Sequence, residues 1–478
     1  MRHRYTMVTD RNQFAGRAGS TASSGGRTRV TRCGSAVWLA LSMVIIAGCQ
    51  QQQSWDSVLL IVVDTLRADH LGVYGHGRGT SPNIDRWSRD AAIFETAVAT
   101  SPWTLPTFGT LLTGELPSRH GAGFHEMIDG ERVFTALDSG VQTLPETLAQ
   151  RDIATGAVMN NPFLHPRFGI ARGFDTYDYV PGNNVEIRRA DDVVDAAVGW
   201  LDDHGADPFL LLVHLFDAHL SYDPPHPFRG TFTGDPDAEG YRDVRVREIR
   251  PMLQRGEAVD FEFLEAAYDE EIAFVDAEVG RLLDEVQRRG IGERTLVLLT
   301  ADHGEEFLDH GGFEHGHTMY QELLRVPLLA WGPGVVPRRI QEAVSLLDVP
   351  ATILEGLGVE TFTALPGVSL LAALEGEALL ASRTLVAEAP KYGADRSAAV
   401  QWPLKVIRGP RDTLQLFDLV SDPAELVNLA AERPRDAERM SRILEAIQAS
   451  QTAAGGDSSP VELDPEMLRQ LRSLGYVR

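Results

Sequence analysis

Cysteine is nearly absent from this chain of 478 residues. The only two cysteines, Cys33 and Cys49, lie close to the amino terminus and precede the first predicted strand. The mature domain therefore has neither a disulfide nor a thiol nucleophile. Its stability must come from a large apolar core, and a hydrophobic content of 43% is enough to build one.

Lysine is equally scarce, since Lys391 and Lys405 are the only two in the chain. Arginine supplies nearly all the positive charge, and acidic residues outnumber basic ones to give a formal net charge of −24. Such an acidic surface repels phosphate backbones and anionic lipids. The composition therefore argues against nucleic acid as a partner.

The chain also lacks a hydrophobic run long enough to span a membrane comfortably. The apolar run Ala36 to Ile46 follows several arginines and precedes Ala47-Gly48-Cys49. A basic region, a short apolar region and small residues before a cleavage point indicate a secretory signal over residues 1–49. Residues Ile46 to Cys49 also resemble a bacterial lipoprotein signal, in which Cys49 becomes the lipidated first residue. The alternative is an ordinary signal peptide that ends near Cys49.

These features predict an exported protein that is lipid-anchored through Cys49 in a bacterial cell envelope, on the periplasmic side or in the outer membrane. Residues 50–55 are expected to be a short polar tether. A change in composition near Ala381 divides the rest into a catalytic domain, residues 56–380, and a C-terminal subdomain, residues 381–478.

Two apolar runs each end in a carboxylate residue. Val58 to Val63 precedes Asp64, and Leu296 to Leu299 leads to Asp302 and His303. The carboxyl ends of parallel strands meet at the edge where open α/β sheets build their sites. Carboxylate oxygens and a neutral imidazole nitrogen together hold a divalent metal. An isolated Asp-His-Gly is more often a solvated turn, but its pairing with Asp64 favours a shared metal.

The remaining pattern indicates an α/β fold with a mostly parallel sheet between helices. Phe261 to Arg289 has apolar residues at helical spacing and leads directly into the Asp302 strand, which is typical of a parallel crossover. The C-terminal subdomain is expected to be small and of the α+β class. Further predicted elements are strands at Phe209–Leu215, Val326–Trp331, Thr384–Ala387, Leu404–Ile407 and Leu414–Phe417, and helices at Val344–Gly358, Pro434–Gln451 and Pro465–Leu474.

A third feature lies between the two carboxylate strands, where Thr104 precedes a helix that starts near Pro106. A hydroxyl at this place lies at the positive end of the helix dipole, where an alkoxide is stabilised. Contact with a metal would stabilise the alkoxide further. The alternative is that Thr104 only caps the helix, which is a common role of threonine.

Taken together, five segments resemble the sulfatase family of the alkaline phosphatase superfamily. The segments are Leu60–Gly75, Thr80–Asp85, Thr104–Gly114, Thr300–Pro327 and Leu416–Leu429. The resemblance runs in order from about residue 56 to the C-terminus. It implies an alkaline-phosphatase-like α/β sandwich with a smaller C-terminal subdomain. It also implies a hydrolase of sulfate or phosphate esters with one divalent metal (Ca, Mn, Zn or Mg), held by Asp64, Thr104, Asp302 and His303.

The nucleophile position departs from the family pattern. In sulfatases the nucleophile is a formylglycine made from Cys or Ser in the pattern Cys/Ser-x-Pro-x-Arg. Here Thr104 stands in place of the Cys or Ser, and Phe108 replaces the arginine. Threonine cannot become formylglycine, so none is expected, and Thr104 itself is the predicted nucleophile.

The anion-binding and metal positions also depart from the family. Thr65 replaces the second of two adjacent acids, and His303 replaces an asparagine. The two lysines that bind sulfate in the family are missing from the large domain, and His317 occupies roughly the place of the second. These departures resemble superfamily phosphotransferases and phosphodiesterases, such as phosphoethanolamine transferases, although the membrane helices of those enzymes are missing. The residue chemistry therefore favours a phosphoester, whereas the family favours a sulfate ester.

Histidines supply the remaining candidate side chains. His219 matches the substrate-binding histidine of the family, where it binds the anion or protonates a leaving group; otherwise it is a polar loop residue. His310, His315 and His317 share a glycine-rich loop. His317 is expected to face the site as a catalytic and substrate-binding residue. His315 is a second substrate-binding candidate, although His315 or His310 is equally explained as a solvated loop residue.

Three functions remain open from the sequence. The chain is a hydrolase of a small-molecule, glycan or lipid sulfate or phosphate ester, a phosphoryl transferase or phosphodiesterase of the same superfamily, or a catalytically inactive binding protein. Loss of the formylglycine and of both lysines favours the inactive protein. Retention of Asp64, Asp302 and His303 opposes it, because a site without activity has no physical need for a cage of carboxylates.

Overall fold

The fold is described from a computed structural model that covers residues 55–473, apart from 129–130, 181–187, 236–248, 250, 254, 361–364, 378–382 and 454–458. The predicted signal segment with Cys49, and the tether up to residue 54, lie outside the described residues. Within the described part, no helix has the length and apolar character that crossing a membrane requires.

The strands fall into one large central sheet and several small ones. In chain order they are β1 (Ser57–Val63), β2 (Ala92–Phe94), β3 (Ala97–Val98), β4 (Gly123–Ile128), β5 (Glu131–Thr135), β6 (Ala154–Met159), β7 (Thr176–Tyr179), β8 (Phe209–Leu215), β9 (Thr295–Ala301), β10 (Glu306–Phe307), β11 (Phe313–Glu314), β12 (Arg325–Val326), β13 (Leu328–Trp331), β14 (Arg338–Ile340), β15 (Val344–Ser345), β16 (Leu385–Ala387), β17 (Ser397–Gln401), β18 (Leu404–Arg408) and β19 (Leu414–Asp418).

The helices lie mainly between these strands. They are α1 (Pro82–Trp87), α2 (Thr104–Thr113), α3 (Pro117–His120), α4 (Leu144–Leu148), α5 (Ala190–His204), α6 (Phe261–Arg288), α7 (Gln321–Leu324), α8 (Asp348–Gly356), α9 (Leu371–Leu374), α10 (Pro434–Ala453) and α11 (Pro465–Ser473).

The central sheet has eight strands in the order β14-β2-β13-β9-β1-β8-β6-β7. Strand β1 pairs in parallel with β8 and β9, and β6 pairs in parallel with β7 and β8. Every residue of β1, β8 and β9 is buried, as expected for strands covered by helices on both faces. The register places Val63 beside Leu215 on one side and Ala301 on the other, so the loops that follow these three strands leave the sheet together.

Helices cover the sheet in two groups. Helix α6 packs against α1 and α5, whereas α2 packs against α3, α4 and α8. The predicted long helix is confirmed, because α6 runs over 28 residues and buries its apolar stripe. Asp260 caps its first turn by accepting a hydrogen bond from the Phe263 amide at 3.0 Å. The predicted α/β fold with a mostly parallel sheet is thereby confirmed.

Two predicted elements are divided in the structure. The expected strand Val326–Trp331 is split at Pro327, because proline has no N–H to continue the ladder, and its second part, β13, runs antiparallel to β9. The expected helix Val344–Gly358 begins only at Asp348, and its first residues form β15 instead. The Asp348 carboxylate accepts a hydrogen bond from the Ser345 amide at 2.8 Å, which fixes the turn into α8.

The C-terminal subdomain has the predicted α+β character. Strands β16 to β19 form a four-stranded antiparallel sheet, in which β17 was not anticipated from the sequence. Helix α10 packs its buried face against this sheet through Ala437, Met440 and Leu444. The apolar positions of α10 lie three and four residues apart, which is the spacing of one helix face.

A buried ion pair fastens this sheet to the catalytic domain. The Lys405 ammonium on β18 lies 2.9 Å from Glu425 Oε1, and both side chains are fully buried. Glu425 also accepts a hydrogen bond from the amide of Gln321, the first residue of α7, at 2.6 Å. Desolvation opposes burial of these two charges, so each depends on the presence of the other.

Replacement of Lys405 by methionine should destabilise the protein strongly. The Glu425 carboxylate would stay buried without its cation, which typically costs about 3–5 kcal/mol. Arg408→Met on the same strand is the matched control, because its partner Asp412 is largely exposed and such a pair contributes little. Urea denaturation measures both, and equal losses of unfolding free energy in the two variants would contradict the account.

Candidate metal and catalytic site

Two buried carboxylates lie at the carboxyl edge of the central sheet. Asp64 Oδ2 accepts a hydrogen bond from Asn161 Nδ2 at 2.6 Å. Asp302 Oδ1 accepts hydrogen bonds from the backbone amides of Thr65 at 3.2 Å and His303 at 2.9 Å. The second oxygen of each carboxylate, Asp64 Oδ1 and Asp302 Oδ2, is buried and accepts no hydrogen bond within the described part of the chain.

The His303 ring completes the group. Its Nδ1 lies 3.0 Å from the Gly304 carbonyl, which can only accept, so Nδ1 carries the proton. The lone pair of Nε2 therefore faces the carboxylates, 3.4 Å from Asp302 Oδ2 and 3.7 Å from Asp64 Oδ1. One ligand atom from each of Asp64, Asp302 and His303 lies within 4.8 Å of the others. These three side chains therefore turn candidate metal-ligand atoms toward one another.

The two carboxylates differ in the direction in which their surroundings shift their pKa values. Burial raises the pKa of Asp302 well above its usual range, and the nearby Asp64 raises it further. Burial acts in the same direction on Asp64, but contact with His214 and the proximity of His219 and His303 lower the pKa of Asp64 to about 2. Such a pair resists double ionisation unless a cation compensates it.

The donor set fits the divalent metal expected from the sequence. Burial lowers the pKa of His303, so its ring is neutral and can bind a metal. Two carboxylate oxygens and one imidazole nitrogen, all buried, match the ligands of Zn²⁺, and the two carboxylates also suit Mn²⁺. The orphaned oxygens Asp64 Oδ1 and Asp302 Oδ2 then gain the partner that the protein itself does not supply.

Thr104 lies beside this group as the sequence predicted. It is the first residue of α2 and is buried, with Trp103 preceding it in extended conformation. Thr104 Oγ1 lies 3.3 Å from His303 Nε2 and 3.4 Å from Asn161 Nδ2. The hydroxyl therefore faces the metal-ligand group and the positive end of the helix at once.

Thr65, which stands in place of the second acid of the family pattern, contributes to the site through its backbone amide. The residue adopts a left-handed conformation with φ of 56°, which is costly for a β-branched side chain. Its hydroxyl donates to the Ala218 carbonyl at 2.7 Å, and its carbonyl accepts from Tyr268 Oη at 2.8 Å. These bonds, with that from its amide to Asp302, hold the backbone donor where it serves the carboxylate.

Asn160, Asn161 and His214 belong to the site but were not identified from the sequence. Asn160 Nδ2 donates to the Arg188 carbonyl, so its Oδ1 accepts from His214 Nδ1 at 2.8 Å. His214 Nε2 then lies 3.4 Å from Asp64 Oδ2. Both asparagines directly follow β6, another parallel strand of the same sheet, and the end of that strand points to them once its place in the sheet is known.

Two of the predicted histidines meet at the site. The His315 ring lies 4.4 Å from that of His303 and 5.1 Å from that of His219. Glu305, which is fully buried, holds His315 through a 3.1 Å contact between Oε1 and Nδ1. His219 Nδ1 donates to the Leu220 carbonyl at 2.8 Å, and burial lowers the pKa of His219 to about 4. His219 is therefore a neutral ring beside the ligand group.

The structure places His317 differently from the expectation. Its Nε2 contacts Glu306 Oε2 at 2.7 Å, and the side chain is partly exposed rather than packed on His303. His310 is held between Glu322 and Tyr320, with its ring stacked at 3.6 Å on the tyrosine. Successive side chains of this irregular loop point in different directions, which decides which histidine faces the site. The spacing of the histidines in the sequence does not reveal these directions.

A lysine reaches the site from the C-terminal subdomain. The Lys391 ammonium lies 4.4 Å from the centre of the Phe163 ring and 5.5 Å from that of Trp103, and the residue is 1% exposed. Its charge contributes, after burial, to the lowered pKa values of His219 and His303. The expectation of a site without lysine therefore fails, because the cation comes from beyond the large domain.

The polypeptide around Lys391 is fixed at several points. Trp103 Nε1 donates to the Ala389 carbonyl at 2.7 Å, and the Tyr392 amide donates to the Gly316 carbonyl at 2.8 Å. A Cβ at Gly316 would lie 3.0 Å from the Cβ of Lys391, so glycine leaves the space that the lysine fills. The loop of His315 and the C-terminal segment thus pack against each other at the site.

Comparison with known proteins agrees with this geometry. The sequence profile of the sulfatase family matches residues 56–359, and the chain belongs to the sulfatase family, a family of sulfuric ester hydrolases. The arylsulfatase K of Xenopus laevis is 27% identical over 457 residues, with 82% of each chain covered. The Δ4,5-hexuronate-2-O-sulfatase of Bacteroides thetaiotaomicron is 22% identical over 436 residues, covering 82% of this chain and 88% of the relative.

Solved structures share the fold. A protein in complex with its substrate D-glucosamine-2-N,6-O-disulfate superposes with a TM-score of 0.67 at 18% identity, covering 86% of this chain and all of the other. The phosphonate monoester hydrolase of Agrobacterium radiobacter gives a TM-score of 0.66 at 18% identity, covering 86% and 98%. At these identities the likeness concerns the architecture, which is a mostly parallel sheet with a separate C-terminal sheet.

Replacement of Asp302 by asparagine should stabilise the metal-free protein and abolish metal binding between Asp64, Asp302 and His303. The amide oxygen can still accept from Thr65 and His303, while the amide nitrogen can donate to Asp64 Oδ1, which removes a buried repulsion. A rise of a few degrees in the melting temperature without metal is expected, together with loss of the shift that added Mn²⁺ causes through this group in the wild type.

The pH dependence provides the control for this variant. Because the folded-state pKa of Asp302 is raised, the metal-free wild type should lose stability as pH rises above the ordinary pKa of aspartate, and Asp302→Asn should lack that loss. Differential scanning calorimetry over this range measures it. Parallel pH profiles of the two proteins would contradict the assignment of Asp302 as the unfavourably ionised group.

Proposed function

We propose that this chain hydrolyses a monoanionic sulfate ester by nucleophilic attack of Thr104. The observation that carries the proposal is the position of Thr104 Oγ1. It lies at the first turn of α2 and 3.3 Å from His303 Nε2, beside two carboxylate oxygens without hydrogen bonds. Family membership supplies the reaction class, and this geometry supplies the attacking group.

The covalent step balances within the site. Thr104 Oγ forms a bond to sulfur and releases its proton to solvent, and the bond between sulfur and the leaving oxygen breaks with its electron pair going to that oxygen, which takes up a proton from solvent to leave as the alcohol. Water then attacks the sulfur of the threonine sulfate and breaks the Oγ–S bond. One proton of that water restores the Thr104 hydroxyl, and the other leaves with the sulfate. Asp64, Asp302 and His303 would hold a divalent metal, which would supply a lower pKa for the Thr104 hydroxyl and charge compensation for the substrate oxygens.

The charge of the site favours a monoanion. A divalent metal is balanced by the carboxylates of Asp64 and Asp302, and Lys391 adds one positive charge nearby. His219 and His303 are neutral because burial lowers their pKa values. The metal, the two carboxylates and Lys391 together carry a single net positive charge, which matches a sulfate monoester or a phosphodiester better than a phosphate monoester dianion.

A phosphodiester is the second candidate. The unmodified Thr104 and the pair Asp302-His303, which replaces the Asp-Asn of the family pattern, favour a phosphodiester. The phosphonate monoester hydrolase that shares the fold supports this candidate. The sulfate ester is preferred because the relatives reported above are named sulfatases over most of the chain. Parallel rates on an aryl sulfate and an aryl phosphodiester distinguish the two.

The donor set also narrows the metal. Ca²⁺ and Mg²⁺ prefer oxygen ligands throughout, whereas the Nε2 of His303 favours Zn²⁺; Mn²⁺ is suited by the two carboxylates. His315, rather than His317, is proposed to contact substrate together with His219, because its ring packs against both His303 and His219. For His317 to contact the substrate, its contact with Glu306 would first have to break.

The location of the protein stays a proposal from its sequence. Residues 1–49 resemble a lipoprotein signal, and we propose that Cys49 carries the anchor that holds residues 56–478 at a membrane of the cell envelope. The substrate would then be an extracytoplasmic small molecule, glycan or lipid that bears the ester.

Replacement of Thr104 by alanine should lower kcat by several orders of magnitude, and Thr104→Ser should retain substantial activity. The serine keeps a hydroxyl at the same place, whereas alanine removes the nucleophile, which costs on the order of several kcal/mol of barrier. Metal content, measured by mass spectrometry of the washed protein, should stay unchanged in both. Near-normal turnover in Thr104→Ala would mean that Thr104 is not the nucleophile.

Replacement of Lys391 by methionine should raise KM for a sulfate ester by roughly tenfold or more, because one of the site's positive charges is lost from a buried place. Lys391→Arg keeps the charge and should recover part of the effect. Inhibition by inorganic sulfate provides the second readout, since it should weaken in parallel. An unchanged KM and sulfate affinity in the methionine variant would assign Lys391 to packing alone.

A further inference from the structure

A second group of metal-ligand side chains lies away from the catalytic site. His70 and His76 come from the loop after β1, and Asp269 comes from the middle of α6. His70 Nδ1 lies 2.6 Å from Asp269 Oδ1, and His76 Nε2 lies 3.2 Å from Asp269 Oδ2. One ligand atom from each of the three residues lies within 4.8 Å of the others.

The carboxylate of this group is fully buried and ionised. Burial would raise the pKa of Asp269, but His70, Arg78 and His76 lower it below its usual range. The two imidazole rings are nearly parallel, 4.9 Å apart, and both turn a nitrogen toward the carboxylate. In the absence of a metal, protons on these nitrogens fill the space between the three residues.

We propose that His70, His76 and Asp269 form a second site for a borderline divalent metal, of which Zn²⁺ is the representative. The metal would take the place of the protons between Asp269 and the two rings, bound by His70 Nδ1, His76 Nε2 and one carboxylate oxygen. Adjacent ligands of tetrahedral zinc lie about 3.3 Å apart for bonds of about 2.0–2.1 Å. His76 Nε2 already lies at about this distance from Asp269 Oδ2, at 3.2 Å, whereas His70 Nδ1, at 2.6 Å from Oδ1, would have to move away from that oxygen by about 0.7 Å.

The surroundings support this arrangement. Glu265 lies one helical turn before Asp269 on α6, and its Oε1 is 3.8 Å from His70 Nε2. When Nδ1 binds the metal, the proton of His70 moves to Nε2 and faces Glu265, which is the outer carboxylate that metal-bound histidines commonly have. The exposed side of the group, at His76 and Glu265, leaves a path for the ion and for a completing water.

Arg78 competes with the metal. Its guanidinium donates to Asp269 Oδ2 at 2.8 Å, so a cation on that oxygen would have to displace it. The side chain of Arg78 is 43% exposed, and it can move into solvent without burying a charge elsewhere. This competition makes the proposal sharply testable, because removal of Arg78 should strengthen metal binding whereas removal of a histidine should weaken it.

Occupancy of the second site would fix the loop after β1 onto α6. The His70 ring packs edge-on against Tyr268 at 5.1 Å, and Tyr268 Oη donates to the Thr65 carbonyl and accepts from the Arg67 amide. Thr65 in turn donates to Asp302. The inferred metal would thus stabilise the same loop that positions the catalytic carboxylates.

Calorimetric titration with ZnCl₂ tests the inference in an Asp302→Asn background, where the catalytic group has lost a ligand. Asp302→Asn should bind one equivalent of zinc, and the added change His76→Gln should weaken that binding at least tenfold. Arg78→Gln should instead tighten it. His226→Gln, which alters an exposed histidine outside the group, is the matched control and should leave zinc affinity unchanged.

Two outcomes would overturn the inference. The first is an Asp302→Asn protein that binds no zinc, or that binds it equally well after His76→Gln. The second is an Arg78→Gln change that leaves zinc affinity unchanged or lowers it, since Arg78 would then not compete for Asp269. Melting curves without metal confirm that each variant is folded, and a zinc-dependent rise in melting temperature should disappear only with His76→Gln.

Discussion

The arrangement of the site depends on the repulsion between two buried carboxylates. Strands β1 and β9 are hydrogen-bonded neighbours in parallel register, so Asp64 and Asp302 leave the sheet side by side. Neither residue is exposed to water, and one oxygen of each accepts no hydrogen bond in the described structure. Burial and the like charge raise the pKa of Asp302, and a divalent metal is the natural compensation.

Four other residues complete the site around the two carboxylates. His303 turns its lone pair inward because Gly304 holds the proton on the other nitrogen. Thr65 accepts a costly backbone conformation and thereby brings its amide to Asp302. Thr104 lies both at the first turn of α2 and beside the metal-ligand group. Lys391 adds positive charge from the C-terminal subdomain, so the site is completed by two parts of the chain rather than by the large domain alone.

The sequence predicts this architecture well where short apolar runs decide it. β1, β8 and β9 are uninterrupted apolar strands, and their ends place Asp64, Asp302 and His303 with no further information. The long helix α6 follows equally from its periodicity and its glycine-terminated end.

What the sequence does not reveal depends on contacts between distant segments. Lys391 enters the site because Gly316 leaves room and Trp103 fixes the backbone at Ala389, and neither fact has a local pattern. The choice between His315 and His317 rests on the paths of side chains in an irregular loop, where Glu305 and Glu306 each hold a different ring. Asn161 was recognisable only once β6 was known to lie two strands from β1.

Anomalous X-ray diffraction from crystals grown with Mn²⁺ or Zn²⁺ tests the central claim most directly. The account predicts a strong anomalous peak within about 2.0–2.3 Å of Asp64 Oδ1, Asp302 Oδ2 and His303 Nε2, with Thr104 Oγ1 facing it. Crystals that contain the metal in stoichiometric amount but show no peak between these three atoms would contradict it.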